Sequence, residues 1–408
     1  MVSVGIDLAE TQPHQVCLMR DDVVVQEMRV PNTAIGLRRL LQAIQAEEMA
    51  AEAVVIAVER PDGPFVDGLV GAGYTVYAIN PKAIERYRDR VALGGTKTDR
   101  LDARCLAGIV RTDRAAYRPL VPESARTREL RLVTRDLAEL EKTQTMLAHQ
   151  LRAALLASFP AAVAAFRDLT APSTLGFLRT YPTREAARAA SEDELAAVLK
   201  RHGYSSPGRK LPVLRQALAQ EPLPVDPAVV QAKQLLITTL AETLLTLHRQ
   251  IRTYDQRLKE LFSDHPDRAI FLSLRGAGLR LAARMAAEFG EDRTRFGNAR
   301  AVAAYAGVAP VTRQSGKSHV VHFRRRACCK PFRELLHQFA FCSLQWNDWA
   351  WAYYQAKRRQ GKPHAETLRC LAMIWLRILY AMWRDRTLYD VEQFLVASGR
   401  QTAAAPVA

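Results

Sequence analysis

The sequence predicts an α/β amino-terminal domain followed by a largely all-α remainder. Three observations predict it. Over roughly the first 115 residues, short apolar runs of strand length alternate with helical stretches. Apolar residues then recur at alternating three- and four-residue steps in two long segments. The last third is helical in pattern, aromatic and basic. The boundaries these suggest are 1–120 for the α/β domain and 121–264 for a helical, coiled-coil region. A carboxy-terminal helical domain follows at 265–400, with a disordered tail at 401–408.

The 408 residues give room for two or three domains, and an apolar fraction of 49% is ordinary for a globular chain. Lys and Arg number 58 against 42 Asp and Glu, a net charge of +16. That balance points to a polyanion, most simply nucleic acid. Arg dominates the basic set and suits bidentate phosphate contacts, although a GC-rich genome also enriches Arg. The start, Met1 to Asp7, lacks the basic and apolar blocks of a signal peptide. The apolar run Cys370–Trp383 is broken by Arg377 and is too short to span a bilayer, so no membrane partner is expected. None of the six cysteines forms a Cys-x-x-Cys pair, which fits a reduced cytoplasmic protein. His319, His322, Cys328 and Cys329 match no common zinc spacing.

Val2 to Leu8 reads as a buried strand with Asp7 in an otherwise apolar run. A charge there is costly unless it is paired or binds a metal. Cys17–Met19 and Val23–Val30 are two further strands joined at Arg20-Asp21-Asp22, completing an antiparallel meander. Residues 34–46 carry a helical apolar stripe of Ile35, Leu37, Leu40, Leu41 and Ile44. Val54–Val58 is wholly apolar, as a central strand covered on both faces would be. It ends on Glu59, where open α/β sheets build their sites. Tyr74–Ile79 is another strand, stopped by Asn80-Pro81, with Pro81 suited to the first position of a helix.

In Lys97-Thr98-Asp99-Arg100-Leu101-Asp102-Ala103, a helix would set Asp99 and Asp102 on one face about a turn apart. Two such carboxylates repel unless a cation lies between them, and their oxygens suit a hard ion such as Mg²⁺. An acidic first turn capped by Thr96 explains the same residues without any metal. The order of elements is RNase H-like, and it sets Asp7, Glu59, Asp99 and Asp102 at strand ends or a helix start. Four converging acids fit a two-metal phosphoryl-transfer centre.

Gly5-Ile6-Asp7, the strand-ending Glu59, Asn80-Pro81 and Lys97-Thr98-Asp99-x-x-Asp102-Ala103 closely resemble the DEDD transposases of the IS one-ten family of insertion sequences. The resemblance implies a domain like the Holliday-junction resolvase RuvC, with Asp7, Glu59, Asp99 and Asp102 as its Mg²⁺-binding tetrad. The Glu-x-Thr-Gly common in the family is Glu59-Arg60-Pro61-Asp62-Gly63 here.

Leu130, Val133, Leu137, Leu140, Leu147 and Leu151 hold a heptad repeat with Gln144 at one place. A second heptad run extends from Ile237 through Leu244 and Ile251 to Leu261. Such seams predict either an antiparallel hairpin or a dimerising coiled coil. Between them, 161–227 reads as shorter helices and a proline-rich linker containing Pro207, Pro212, Pro222, Pro224 and Pro227. The region is either a dimerisation arm that also grips nucleic acid or a plain helical spacer.

Arg275-Gly276-Ala277-Gly278 precedes a helical stretch and looks like a helix-hairpin-helix turn offering backbone N–H groups to phosphate. It stands where the family usually has Pro-Gly-Ile-Gly. Phe296-Gly297, Ala303–Pro310 and Arg313-Gln314-Ser315-Gly316-Lys317 resemble the family's carboxy-terminal transposase domain. The resemblance implies that Ser315 attacks a DNA phosphate to give a transient 5′-phosphoserine link. Ser318 is the competing assignment, and a turn serine in a basic loop is the plain one. The cluster Arg324-Arg325-Arg326 suits a phosphate backbone. Candidate nucleic-acid contacts are therefore Lys97, Arg275, Gly276, Gly278, Arg313, Lys317, Arg324, Arg325 and Arg326. Most of the aromatic residues from Phe339 to Tyr354 are expected in the core, the alternative being that one or two stack on bases.

The expected activity is site-specific DNA cutting and rejoining without hydrolysis, in a bacterial, nucleoid-associated enzyme. The resemblance further implies a structured bridge RNA as guide. A homodimer or homotetramer would bring one subunit's serine to another's acids. Three rivals stand beside this reading. One is a hydrolytic RuvC-like endonuclease with a structural serine, and another is a non-catalytic scaffold. An actin-like ATPase fold is the third, from the weak phosphate-loop likeness of Gly5 to Thr11, but its adenosine loop is missing.

Overall fold

The computed structural model describes residues 1–397 except Met49, Leu93, Pro222, Lys317 and 323–327; for Thr312, Arg313, 318–322 and Ala397 it describes the backbone alone. The chain divides into two compact units, one of residues 1–124 with 292–297 and one of 125–291 with 298 onward.

The first unit is built on a five-stranded mixed sheet. Its strands are β1 (Val2–Asp7), β2 (His14–Arg20), β3 (Val23–Val30), β4 (Val54–Val58) and β5 (Thr75–Ala78), in the order β3-β2-β1-β4-β5. The first three form the expected meander, antiparallel throughout, while β4 and β5 run parallel to β1. Helices α1 (Ala34–Gln45), α2 (Pro64–Gly71), α3 (Pro81–Val91) and α4 (Asp99–Thr112) complete it. All five side chains of β4 are buried, as their apolar run predicts. Pro81 is the first residue of α3, and Asn80 caps it by accepting the Lys82 N–H at 2.9 Å. Thr98, rather than Thr96, caps α4 by accepting the Leu101 N–H at 3.1 Å.

Helix α4 lies directly against β1. A Cβ on Gly5 would sit 2.0 Å from the Ala103 carbonyl oxygen and 2.4 Å from the Ala107 nitrogen. Ala103 and Ala107 are fully buried, in a small cluster with Cys17 of β2. Small residues on both surfaces therefore let the helix backbone touch the strand. Glu27 of β3 fixes the helix from the other side: Arg100 Nε donates to its Oε2 at 2.5 Å and Arg104 Nε lies 2.9 Å from its Oε1. The hydrogen bond from Arg100 leads in holding the Glu27 carboxyl below its ordinary pKa.

Among its described residues the second unit is helical apart from one hairpin. Its two long helices are α5 (Ala125–Ser158) and α11 (Pro227–Ser263). Between them lie α6 (Pro160–Ala165), α7 (Pro172–Thr180), α8 (Arg184–Ala189), α9 (Glu192–Arg201) and α10 (Pro207–Ala219). Helices α5 and α11 pack antiparallel within one chain. Arg126, at the start of α5, donates to the Leu261 carbonyl at 2.8 Å, while Leu151, near its end, shares a core with Ile237, Leu240 and Leu244. The heptad residues Leu130, Leu137, Ile251 and Leu258 are buried along the seam. The proline-rich stretch is more ordered than a linker: Pro207 and Pro227 open α10 and α11, and Pro212 lies inside α10. Proline at a first helical position loses no intrahelical bond, which is why the stretch can be helical.

The chain continues with α12 (Arg268–Leu272), α13 (Gly278–Phe289) and α14 (Ala299–Tyr305). The hairpin β6 (Val311–Ser315) and β7 (Ser318–His322) follows, then α15 (Lys330–Ser343), α16 (Asp348–Arg359), α17 (His364–Asp385) and α18 (Val391–Ala397). Arg135 of α5 makes a two-pronged bond to Glu288 of α13, at 2.8 and 2.9 Å, with Glu288 almost fully buried. Of the aromatics from Phe339 to Tyr354, most of them expected in the core, only Phe339 and Trp349 are buried. Phe341, Trp346 and Trp351 are exposed and Tyr353 and Tyr354 half-buried, while Trp375 and Trp383 of α17 fill the core. Among the described residues no helix is long and apolar enough to cross a membrane.

Gly5→Ala is expected to destabilise the chain by ~1–3 kcal/mol through overpacking. Chemical denaturation would show it, and an unchanged midpoint would mean that α4 does not need this contact.

Candidate active site

Asp7 is the last residue of β1, and Glu59 directly follows β4. Ile6 pairs with Val58 in the parallel register, so the two acids leave neighbouring strands side by side. The Gly5 contact brings the first turn of α4, with Asp99 and Asp102, over the same edge. Asp7 feels the charges of the other three acids. The Asp7 carboxyl is raised to about 6, first by burial, then by the charges of Asp99, Glu59 and Asp102, with Lys97 opposing. The structure thus gathers the whole predicted tetrad and Lys97 in one field. Arg60 and Glu10, 3.1 Å apart, tie together the loops that follow β4 and β1.

Asp102 is buried and engaged by Arg88 of α3, whose Nε and Nη2 both lie 2.7 Å from its Oδ1. Among the described residues no three acidic, imidazole or thiol side chains are set as a ready metal-binding group. The donor chemistry nevertheless fits a hard divalent cation: four carboxylates, of which Asp7 is driven toward protonation first by burial and then by the other three. Sequence reasoning missed three residues that build this edge: Gly5 as a contact surface, Glu27 as the anchor of α4, and Arg88 as the partner of Asp102. Only Glu27 left a signal, a carboxylate inside a strand.

The remaining candidates lie in the second unit. Gly276 and Gly278 have φ of +90° and +56°, and α13 begins at Gly278 with no side-chain cap. A Cβ on Gly276 would lie 2.8 Å from Trp346 Cδ1, so the turn is packed under that indole. Arg275 is exposed. Ser315 is the exposed last residue of β6 and pairs with Ser318 across the hairpin tip, beside Gly316 at φ +53°. An all-helical domain with Ser315 in a loop is therefore corrected to a helical unit carrying a β-hairpin. Strands form because Val311, Val320 and Val321 favour extended backbone and glycine permits the sharp reversal. Lys317, Arg324, Arg325 and Arg326 lie outside the described residues, as does the side chain of Arg313.

A family model described as a transposase matches residues 4–160, and a second, for transposases of the IS116/IS110/IS902 family, matches 268–355. The chain is 33% identical to a mini-circle putative transposase for IS117 from Streptomyces coelicolor, across 99% of this chain and 98% of that one. It is 26% identical to an insertion element IS110 protein of the same species, covering 95% of each chain. An insertion element IS900 protein from Mycobacterium paratuberculosis is 27% identical, covering 95% of this chain and 97% of its own. The fold, the acidic edge and these matches define a DNA-processing enzyme of the transposase class. The chain belongs to the IS110 family of insertion-sequence transposases.

The raised Asp7 carboxyl has a consequence for stability. Between its ordinary pKa and about 6 the folded chain binds this proton more tightly than the unfolded chain. Stability therefore falls as pH rises through that window, and the penalty is complete above it. In the absence of divalent cations, Asp7→Asn is expected to be more stable than wild type by ~1–3 kcal/mol at pH 7.5, with the difference vanishing near pH 4. Denaturant midpoints across pH would show this, and a pH-independent difference would contradict it.

Proposed function

We infer that the chain cuts and rejoins the DNA ends of its insertion sequence by transesterification, with Ser315 as nucleophile and Asp7, Glu59, Asp99 and Asp102 as ligands of Mg²⁺. The observation that carries this reading is the convergence of the four acids on Asp7 at the end of β1. The strand order β3-β2-β1-β4-β5, three antiparallel and two parallel, supports an RNase H-like, RuvC-like domain. When bound, the metal supplies activation of the attacking oxygen and stabilisation of the leaving oxygen.

The exposed tip of the hairpin suits a nucleophile that must enter a DNA backbone. Ser315 Oγ attacks phosphorus and loses its proton. The bond to the 3′ oxygen breaks, and that oxygen leaves as a 3′ hydroxyl. Attack by another 3′ hydroxyl on the phosphoserine then releases Ser315 and seals the new strand. No water enters either step, so the number of phosphodiester bonds is conserved. Arg313 and Lys317, its sequence neighbours, supply positive charge for the phosphorane-like transition state. Ser318, its partner across the tip, is the control residue.

The chain works as a homodimer or homotetramer, in which one subunit's serine serves another's acids. The α5–α11 pair is the arm through which subunits assemble and hold nucleic acid. A structured RNA from the same element guides the choice of DNA, and the +16 charge is compatible with that partner. Action on chromosomal DNA places the enzyme in the bacterial cytoplasm at the nucleoid.

Incubation with Mg²⁺, the element's flanking transcript and labelled element-end DNA is expected to give a covalent adduct that survives SDS. It is expected to vanish in Ser315→Ala and in Asp7→Ala and to persist in Ser318→Ala. Cleavage without an adduct, retained by Ser315→Ala, would instead identify a hydrolytic nuclease. Mixing the Ser315→Ala and Asp7→Ala proteins is expected to restore part of the adduct; no recovery would rule out sharing between subunits.

A further inference from the structure

Not all of the tail's aromatic residues are in the core. Phe341 of α15 and Trp351 of α16 are 52% and 47% exposed, large apolar surfaces to leave in water. They are the ends of a chain of four rings. The Phe341 ring lies 6.2 Å from His364, which lies 5.8 Å from Tyr354, and Tyr354 stacks on Trp351 at 5.7 Å with only 15° between the planes. The Tyr354 hydroxyl and His364 Nδ1 are 2.8 Å apart, which fixes the middle of the chain. Three helices of the second unit thus hold the rings in place.

The surroundings are basic. Trp351, Tyr354 and Arg358 fall on one stripe of α16, three and four residues apart. Arg358 donates to the Lys362 carbonyl at 2.6 Å, and Arg359 beside it is exposed. Lys357 sits over the Tyr353 ring at 5.8 Å. Of the nearby acids, Glu366 is paired with Lys362, and exposed Asp348 stands one turn before Trp351 at the start of α16, outnumbered by Lys357, Arg358, Arg359 and Lys362. A second copy of this surface would meet like charge, whereas a polyanion meets complementary charge. Aromatic faces beside cations are how proteins hold unpaired bases, because every base has a π-face to stack and every nucleotide a phosphate to pair.

We propose that the Phe341–His364–Tyr354–Trp351 surface is a stacking platform for an unpaired DNA strand. A strand opened at the cut site is the form of the established substrate that exposes its bases. The platform acts whether or not the acids bind metal and whether or not Ser315 is a nucleophile, so it goes beyond the proposed chemistry.

The test uses the full-length protein in EDTA and the anisotropy of a labelled oligothymidine strand of about 20 nucleotides. Its comparators are a duplex, an abasic strand and an oligouridine strand of equal length. Phe341→Ala and Trp351→Ala are each expected to weaken oligothymidine binding about tenfold, within the range for losing one stacked base. Binding of the duplex and of the abasic strand is expected to change by less than about twofold, since neither offers a free base. Trp351→Phe is expected to retain most of the affinity. An equal loss on the abasic strand or the duplex would overturn the proposal, as would unchanged oligothymidine binding. A loss confined to oligouridine would give the surface to RNA and overturn the assignment to DNA. Because no metal is present, failure here leaves the adduct experiment untouched, and failure there leaves this one untouched.

Discussion

The closeness of helix α4 to strand β1 governs the first unit. There is no room for a side chain at Gly5, because Ala103 and Ala107 bring helix backbone against strand backbone. That contact sets the height of α4 on the sheet, and hence where its first turn ends. Asp99 and Asp102 arrive over the edge at which Asp7 and Glu59 leave their strands. The same geometry creates an electrostatic problem. Burial and the charges of the other three carboxylates raise the proton affinity of half-buried Asp7, and a proton or a cation must offset the repulsion. Around this edge the chain provides cations of its own. Arg100 and Arg104 hold Glu27, Arg88 holds Asp102, and Lys97 acts on Asp7 from the preceding loop. Of the four acids, Asp102 is the one these contacts engage directly among the described residues.

The second unit solves a different problem. A helix pair as long as α5 and α11 buries little per residue unless other elements cover it. At one end α6 and α7 pack on it and carry α8, α9 and α10 with them, and Leu151, Ile237 and Leu244 share their core. Toward the other end α13 packs on α5, tied by Arg135 to the buried Glu288. In the middle of the pair Leu140, Leu147 and Leu247 are half-buried, and the covering contacts are ion pairs from Glu141 to Arg280 of α13 and from Lys142 to Glu334 of α15. The hairpin that presents Ser315 belongs to this unit, not to the unit that holds the acids. The two halves of the proposed chemistry thus come from separately packed bodies.

Much of this was legible in the sequence, and the exceptions have physical reasons. Asp7 and Glu59 stood out because a carboxylate in or just after a buried strand is costly without a purpose. Heptad leucines announced two packed helices but left the partner open, since a seam has the same period whether it faces its own chain or another. Arg88 was hidden because its partner Asp102 lies on a different helix, fourteen residues on. The close approach at Gly5 was hidden because a glycine in a strand does not say what will fill its space. In 311–322 polar residues occupy both faces of the strands, so alternation gave no signal and Ser-Gly alone suggested a loop. The prolines of 207–227 masked α10 because proline marks helix starts as readily as linkers.

The central claim is that the four acids form one cation site. Calorimetric titration of Mn²⁺ into the DNA-free protein at pH 7.5 tests it most directly, comparing wild type with Glu59→Gln. Saturable binding by wild type, weakened at least about tenfold by removing one ligand charge, is the result this account requires. No saturable binding by wild type, or equal binding by Glu59→Gln, would contradict it.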